Sequence, residues 1–176
     1  MQDVELQWYA MKVFWNKVFE VEEFLKSKDK ELYFPKEKSF KIVGGKPTEV
    51  LKPAISSLIF FKDMPNDALK VERELYNKVM LYTHREGLLR VPSAIPEKEM
   101  TIFKLVTSKG EMGLDYLEDD VKYRKGDRVL VIDGPFKDAE GYICRIKHDR
   151  RLVVSIQGIC AVATSYIPSC FLKKIE

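Results

Sequence analysis

The hydrophobic pattern of this chain changes character once, and it does so at an acidic segment. Up to residue 108 strand-like and helix-like stretches alternate, whereas from Val121 onward there are only short apolar runs separated by turn residues. Charge steps at the same place. Residues 1–108 carry 18 basic and 16 acidic side chains, 109–120 carry 1 and 5, and 121–176 carry 11 and 6. A chain of 176 residues that is 45% hydrophobic and 32% charged has enough apolar material for two cores. The division expected is therefore 1–108, an acidic linker at 109–120, and 121–176.

In the first part, "LQWYAMKVF" (6–14) is rich in strand formers, and "NKVFEVEEFLKSK" (16–28) reads as a helix. Asn16 would cap it, Val18, Val21 and Leu25 recur at helical spacing, and Glu22 stands four residues before Lys26. "SSLIFFKDM" (56–64) reads as a strand apolar on both faces, and "NDALKVERELYNKV" (66–79) as a helix capped by Asn66. "MLYTHR" (80–85) would return as a strand, and "PEKEMTIFKLV" (96–106) opens like a helix, with proline and acids in its first turn. The lysine-rich segment 33–55, broken by Pro35, Pro47 and Pro53, predicts a basic hairpin or a projecting loop. This order predicts an α+β fold in which an antiparallel sheet carries its helices mainly on one face. The last part predicts five short strands, "DRVLVI", "GYICRI", "RLVVSI", "CAVATSYI" and "CFLKKI", closing into a small all-β barrel.

Catalytic constellations are thin. His84 and His148 each lack a neighbouring nucleophile motif, the acids at 118–120 read as a solvated run, and "VGGK" (43–46) lacks the rest of a phosphate loop. Cys144, Cys160 and Cys170 form no metal-binding pair and read as reduced, buried strand residues. The sequence argues against an enzyme and calls for no cofactor or metal. With no membrane span and an acidic N-terminal stretch, the expected location is the cytoplasm. What the chain offers is surface: lysines across 26–52, a basic group of Arg145, Lys147, Arg150 and Arg151 suited to phosphate, and the apolar stretches "WYAMKVFW" and "LIFF".

The stretch "KGDRVLVIDGPFKDAEGYICRI" (125–146), with "RRLVVSIQG" after it, resembles the KOW motif of the NusG family of transcription elongation factors. "WYAMKVFWNKVFEVEEFL", "KPAISSLIFFKDM" and "SAIPEKEMTIFKLV" are similar to the opening strand and helix, the central strand and the last helix of that family's N-terminal (NGN) domain. The resemblance runs over residues 7–176 and is closest in character to the operon-specialised RfaH and UpxY-type antiterminators. It implies an NGN-like domain, an SH3-like KOW barrel, binding to the clamp helices of the largest RNA polymerase subunit, and suppression of pausing and termination. By strand parity the polymerase-binding positions are Trp8, Ala10, Lys12, Leu58 and Phe60, while Tyr9, Met11, Ile59 and Phe61 face the helices. Lys17 and Arg73 would contact non-template DNA. Phe136, Ile156 and Gln157 would form the KOW surface offered to Rho or a small-subunit ribosomal protein. Phe136 could instead plug the barrel. Ile55-Ser56-Ser57-Leu58 departs from the family's usual Phe-Pro-Gly-Tyr, and Gln157 replaces an aromatic. The alternative reading is a translation-associated RNA-binding protein that grips ribosomal RNA.

Overall fold

The computed structural model describes residues 5–108, 113–117 and 126–176. The chain divides into two compact units, Met1–Glu97 and Lys98–Glu176. The first contains β1 (Gln7–Val13), α1 (Val18–Ser27), β2 (Leu32–Tyr33), β3 (Lys36–Val43), β4 (Lys46–Pro53), β5 (Leu58–Asp63), α2 (Pro65–Leu75), β6 (Val79–Leu81), β7 (Thr83–Glu86) and β8 (Leu89–Pro92). α3 (Glu97–Thr107) straddles the division; β9 (Asp115–Leu117), β10 (Asp127–Val131), β11 (Glu140–Ile146), β12 (Asp149–Ile156), β13 (Cys160–Tyr166) and β14 (Leu172–Lys174) follow.

In the first unit β1 lies between β5 and β6 in an antiparallel sheet ordered β2-β5-β1-β6. Side chains directly opposite each other on antiparallel strands share a face, so the pairings Tyr9↔Phe61 and Met11↔Ile59 fix which residues point together. These four join Val18, Val21 and Leu25 of α1 and Ala68, Val71 and Leu75 of α2 in one buried cluster, as parity predicts. β5 is buried on both faces, which is why "LIFF" carries no polar alternation. The 33–55 segment is a hairpin: β3 and β4 pair along their whole length around Gly44 and Gly45, both left-handed, so "VGGK" is a turn.

Helix ends differ from expectation. α1 begins after Lys17, because Trp15 and Asn16 both take left-handed backbone, and Asn16 makes no cap. α2 begins with Pro65 rather than under an Asn66 cap, and it stops at Leu75 because Tyr76 has φ 49°. A 3₁₀ turn at Tyr76–Lys78 then releases Val79 into β6. The single strand expected at 80–85 is divided between β6 and β7, and β7 forms a hairpin with β8 around left-handed Gly87.

The second unit holds an antiparallel sheet ordered β14-β10-β11-β12-β13-β9. Six strands rather than the expected five pair in this sheet among the described residues, and no pairing of β14 with β9 closes it there. The added strand, β9, comes from the segment expected to be linker. The acids at 118–120 and the rest of that linker, 109–112, lie outside the described residues. None of the three cysteines forms a disulfide, but only Cys160 is a buried strand residue; Cys144 is half-buried in β11, and Cys170 is exposed in a 3₁₀ turn.

Candidate functional site

The face of the first sheet that turns away from α1 and α2 is set by three pairings across β1 and β5: Trp8↔Lys62, Ala10↔Phe60 and Lys12↔Leu58. The five positions expected on a binding face therefore do share one side, and Lys62, which parity alone did not single out, joins them. Trp8, Ala10, Leu58 and Phe60 are at most 3% exposed, and Lys12 is exposed. Trp8 is held on several sides. Its carbonyl accepts from the Ile95 N–H at 2.8 Å, its indole N–H donates to Glu97 at 3.4 Å, and the Lys62 ammonium stands 5.7 Å from its ring. Lys62 and Glu97 close the group with an ion pair of 3.2 Å.

Lys17 precedes α1 and donates to Glu20 at 3.1 Å, and the same carboxylate accepts from Lys78 in the turn after α2. The ammonium groups of Lys78 and Lys17 hold the Glu20 carboxyl below its usual range. Arg73 is exposed in the last turn of α2, five residues before Lys78. The structure thus groups Lys17 with Lys78, a lysine that the sequence pattern did not mark because it lies 58 residues from Glu20.

In the second unit the loop between β10 and β11 is tightly internal. The Asp133 carboxylate accepts from the Gly134 N–H at 2.8 Å, and the Asp138 N–H donates to the Val131 carbonyl at 2.9 Å. Gly134 has φ 85°, and a Cβ there would lie 3.1 Å from the Phe171 ring, a tight contact. Phe136 is 3% exposed and lines a small cavity of about 80 Å³ with Pro135 and Phe171. Ile156 is buried, while Gln157 is exposed and its N–H donates to Glu99 at 3.2 Å. Of the basic group expected to meet phosphate, Arg145 and Arg150 stand directly opposite each other on β11 and β12, and Lys147 and His148 form the left-handed turn between them. Arg151 is diverted: its guanidinium bonds Asp115 and the carbonyls of Gly113, Ala163 and Thr164.

No cluster of three metal-ligating side chains occurs among the described residues, and no described helix is long and apolar enough to cross a membrane. His84 is bonded to Ser93 and Glu86 in an exposed hairpin, an ordinary polar setting.

Comparison with known proteins adds one match. The family model described as NusG, transcription termination factor nusG, matches residues 6–104, more than half of the chain, from β1 to the third helix. No curated protein matches.

Proposed function

The chain belongs to the NusG family of non-enzymatic transcription factors, and from that premise we propose that it is an antitermination and processivity factor that binds RNA polymerase at the clamp helices of the largest subunit. The observation that carries this reading is the register that sets Ala10 beside Phe60 and Lys12 beside Leu58 on one sheet face, next to the pinned Trp8. A few apolar anchors with charges at their rim are the usual composition of an energetic centre in a protein interface. Four of the five residues are buried in the present conformation, so contact through them requires that face to be uncovered first. The apparent affinity is then lowered by the fraction of molecules that are open.

Within this proposal Lys17 and Arg73 contact non-template DNA, and residues 121–176 are a KOW domain whose motif is the 125–146 stretch. Phe136, Ile156 and Gln157 are the positions at which it meets Rho or a small-subunit ribosomal protein. Gln157 is the one of these exposed, so recruitment through this surface rests on a polar residue unless Phe136 or Ile156 emerges. The operon-specialised character of the RfaH and UpxY type belongs to the same proposal.

The test is binding of the full chain to purified RNA polymerase core, with read-through of a terminator in single-round transcription as the second readout. Phe60→Asp is a poor probe, because it buries a charge at a position with 0% exposure. Lys12→Glu changes an exposed charge on the same face and leaves the core alone. Loss of binding and read-through in that variant, with an unchanged unfolding midpoint, is the expected result. No binding by the unaltered chain, or equal binding by Lys12→Glu, overturns the assigned face.

A second reading rests on Arg145 and Arg150, like charges placed side by side, which costs stability unless an anion meets them. In that reading the chain grips ribosomal RNA, and its affinity falls steeply with added salt, whereas an apolar polymerase contact is far less salt-sensitive.

A further inference from the structure

The β3–β4 hairpin forms a sheet of two strands, and a two-stranded sheet has two outer edges. They are not equivalent. The Ala54 N–H donates to the Pro35 carbonyl at 2.8 Å, which makes that pair, and every second pair from it to Val43↔Lys46, a hydrogen-bonded one. The N–H groups of Lys36, Lys38, Phe40 and Ile42 therefore point outward from β3, as positions 47, 49, 51 and 53 point outward from β4. Two of those β4 positions are Pro47 and Pro53, which have no N–H to offer, so the β4 edge is blunted. On β3 no proline interrupts the outward row.

The same alternation loads one face of the hairpin with apolar side chains. Phe40, Ile42 and Leu51 lie on one side with Pro47, and they are 71%, 80% and 57% exposed. Residues 36–53 hold five lysines and two glutamates, a surplus of three positive charges on one small arm. A lone pair of strands is marginal in water, and a third strand supplies both the missing hydrogen bonds and cover for the apolar face.

We propose that the outer edge of β3 is a strand-addition site for an extended, acidic segment of a partner protein, in which apolar side chains alternate with carboxylates. The outer edge receives the backbone at Lys36, Phe40 and Ile42, the side chains of Phe40 and Ile42 receive the apolar side chains, and the surplus of lysine sets the sign of the partner's charge. Nucleic acid fits less well, because the exposed Phe40 and Ile42 gain nothing from phosphates. A second copy of the chain fits less well again, because it would set one positively charged arm against another. This site is separate from the polymerase-binding face and stands or falls independently of it.

The probes are a peptide as long as β3 that alternates valine and glutamate, the same peptide with lysine for glutamate, and a single-stranded DNA oligonucleotide, each added to the full chain. Residue-resolved amide exchange should show protection by the acidic peptide at Lys36, Phe40 and Ile42. Its affinity should fall about tenfold in Phe40→Pro, which removes an outward N–H, and much less in Phe40→Leu, which keeps it. The proposal is overturned by protection confined to Glu49 and Leu51, by equal affinity for the lysine peptide, or by no protection at β3. It is equally overturned if the oligonucleotide protects the same amides, or if sedimentation shows the chain dimerising through this edge. Should Phe40→Pro fail to fold, the protection pattern in the unaltered chain decides alone.

Discussion

Arg151 holds Asp115, and by doing so it fastens a short acidic strand to the edge of the second sheet. Three further guanidinium contacts go to the carbonyls of Gly113, Ala163 and Thr164, so all three nitrogens of the rigid fork are engaged where β9 runs beside β13. Lysine cannot reproduce that fork. Arg151→Lys should therefore loosen β9, with faster amide exchange at residues 115–117 and a modest global loss of about 1 kcal/mol, small because Asp115 is partly in water. Unchanged exchange across β9 would show that backbone pairing alone retains it.

Acid should weaken the fold through the same kind of contact. The Arg151 guanidinium holds the Asp115 carboxyl below its usual range. At Glu72 burial pushes the carboxyl up, but this is outweighed by the Arg90 guanidinium and the Leu81 N–H, and the net direction is down. Arg90 approaches the two Glu72 oxygens at 2.7 and 2.8 Å, and Leu81 donates at 2.8 Å, so one carboxylate ties α2 to β6 and β8. Groups whose folded values are depressed contribute stability that is present above their unfolded values and lost as pH falls through the folded ones. Urea midpoints should hold steady near neutrality and drop once pH falls below about 4. Glu72→Gln should lower the plateau and flatten the acid limb; an unchanged limb would remove Glu72 from the account.

Periodicity made the first sheet legible, because Tyr9, Met11, Ile59 and Phe61 must share a face whenever β1 and β5 pair in register. The helices were legible for the same reason, through Val18, Val21 and Leu25 on α1 and through the Glu22–Lys26 pair at 2.8 Å. Helix ends were not, since they depend on single left-handed residues such as Asn16 and Tyr76 that no side-chain pattern announces. β8 escaped because its hairpin with β7 is mostly exposed and shows no apolar alternation. β9 escaped because acids dominate its neighbourhood and its anchor, Arg151, is 36 residues away. For the candidate face, parity gave the five positions, but the bonds of Trp8 to Ile95 and Glu97 join residues distant in sequence.

Two glycines of the second sheet should respond to alanine for different reasons. A Cβ at Gly141 would lie 2.3 Å from the Val153 carbonyl oxygen, so β11 and β12 would have to separate. Gly141→Ala should cost about 3 kcal/mol, at the upper end for overpacking. Gly158 has open space around it but φ 75°, and Gly158→Ala should cost only about 1 kcal/mol of backbone strain. Denaturant midpoints of the two variants test the order. A Gly158→Ala loss equal to that of Gly141→Ala would mean that close strand approach is not what selects glycine at position 141.

Asp63 closes β5 with a carboxylate whose side chain is 2% exposed. Its Oδ1 accepts from the Lys30 ammonium at 2.8 Å and from the Met64 N–H at 2.9 Å, whereas Oδ2 has no hydrogen-bond partner among the described residues. Among the described residues Lys30 is therefore the cation that compensates this buried, half-satisfied charge, and Lys30→Met should cost about 3 kcal/mol. Adding Asp63→Asn should recover much of that loss, because the amide oxygen still accepts from Met64 while the uncompensated charge disappears. Tyr9 supplies an independent readout. Burial first, and then the Asp63 charge, raises its phenol above the usual range. In Asp63→Asn a spectrophotometric titration should move Tyr9 down but leave it raised, because burial persists. A phenol that does not move would mean that the Asp63 charge is screened from it, and a double variant no more stable than Lys30→Met would show that the pair contributes through packing instead of charge.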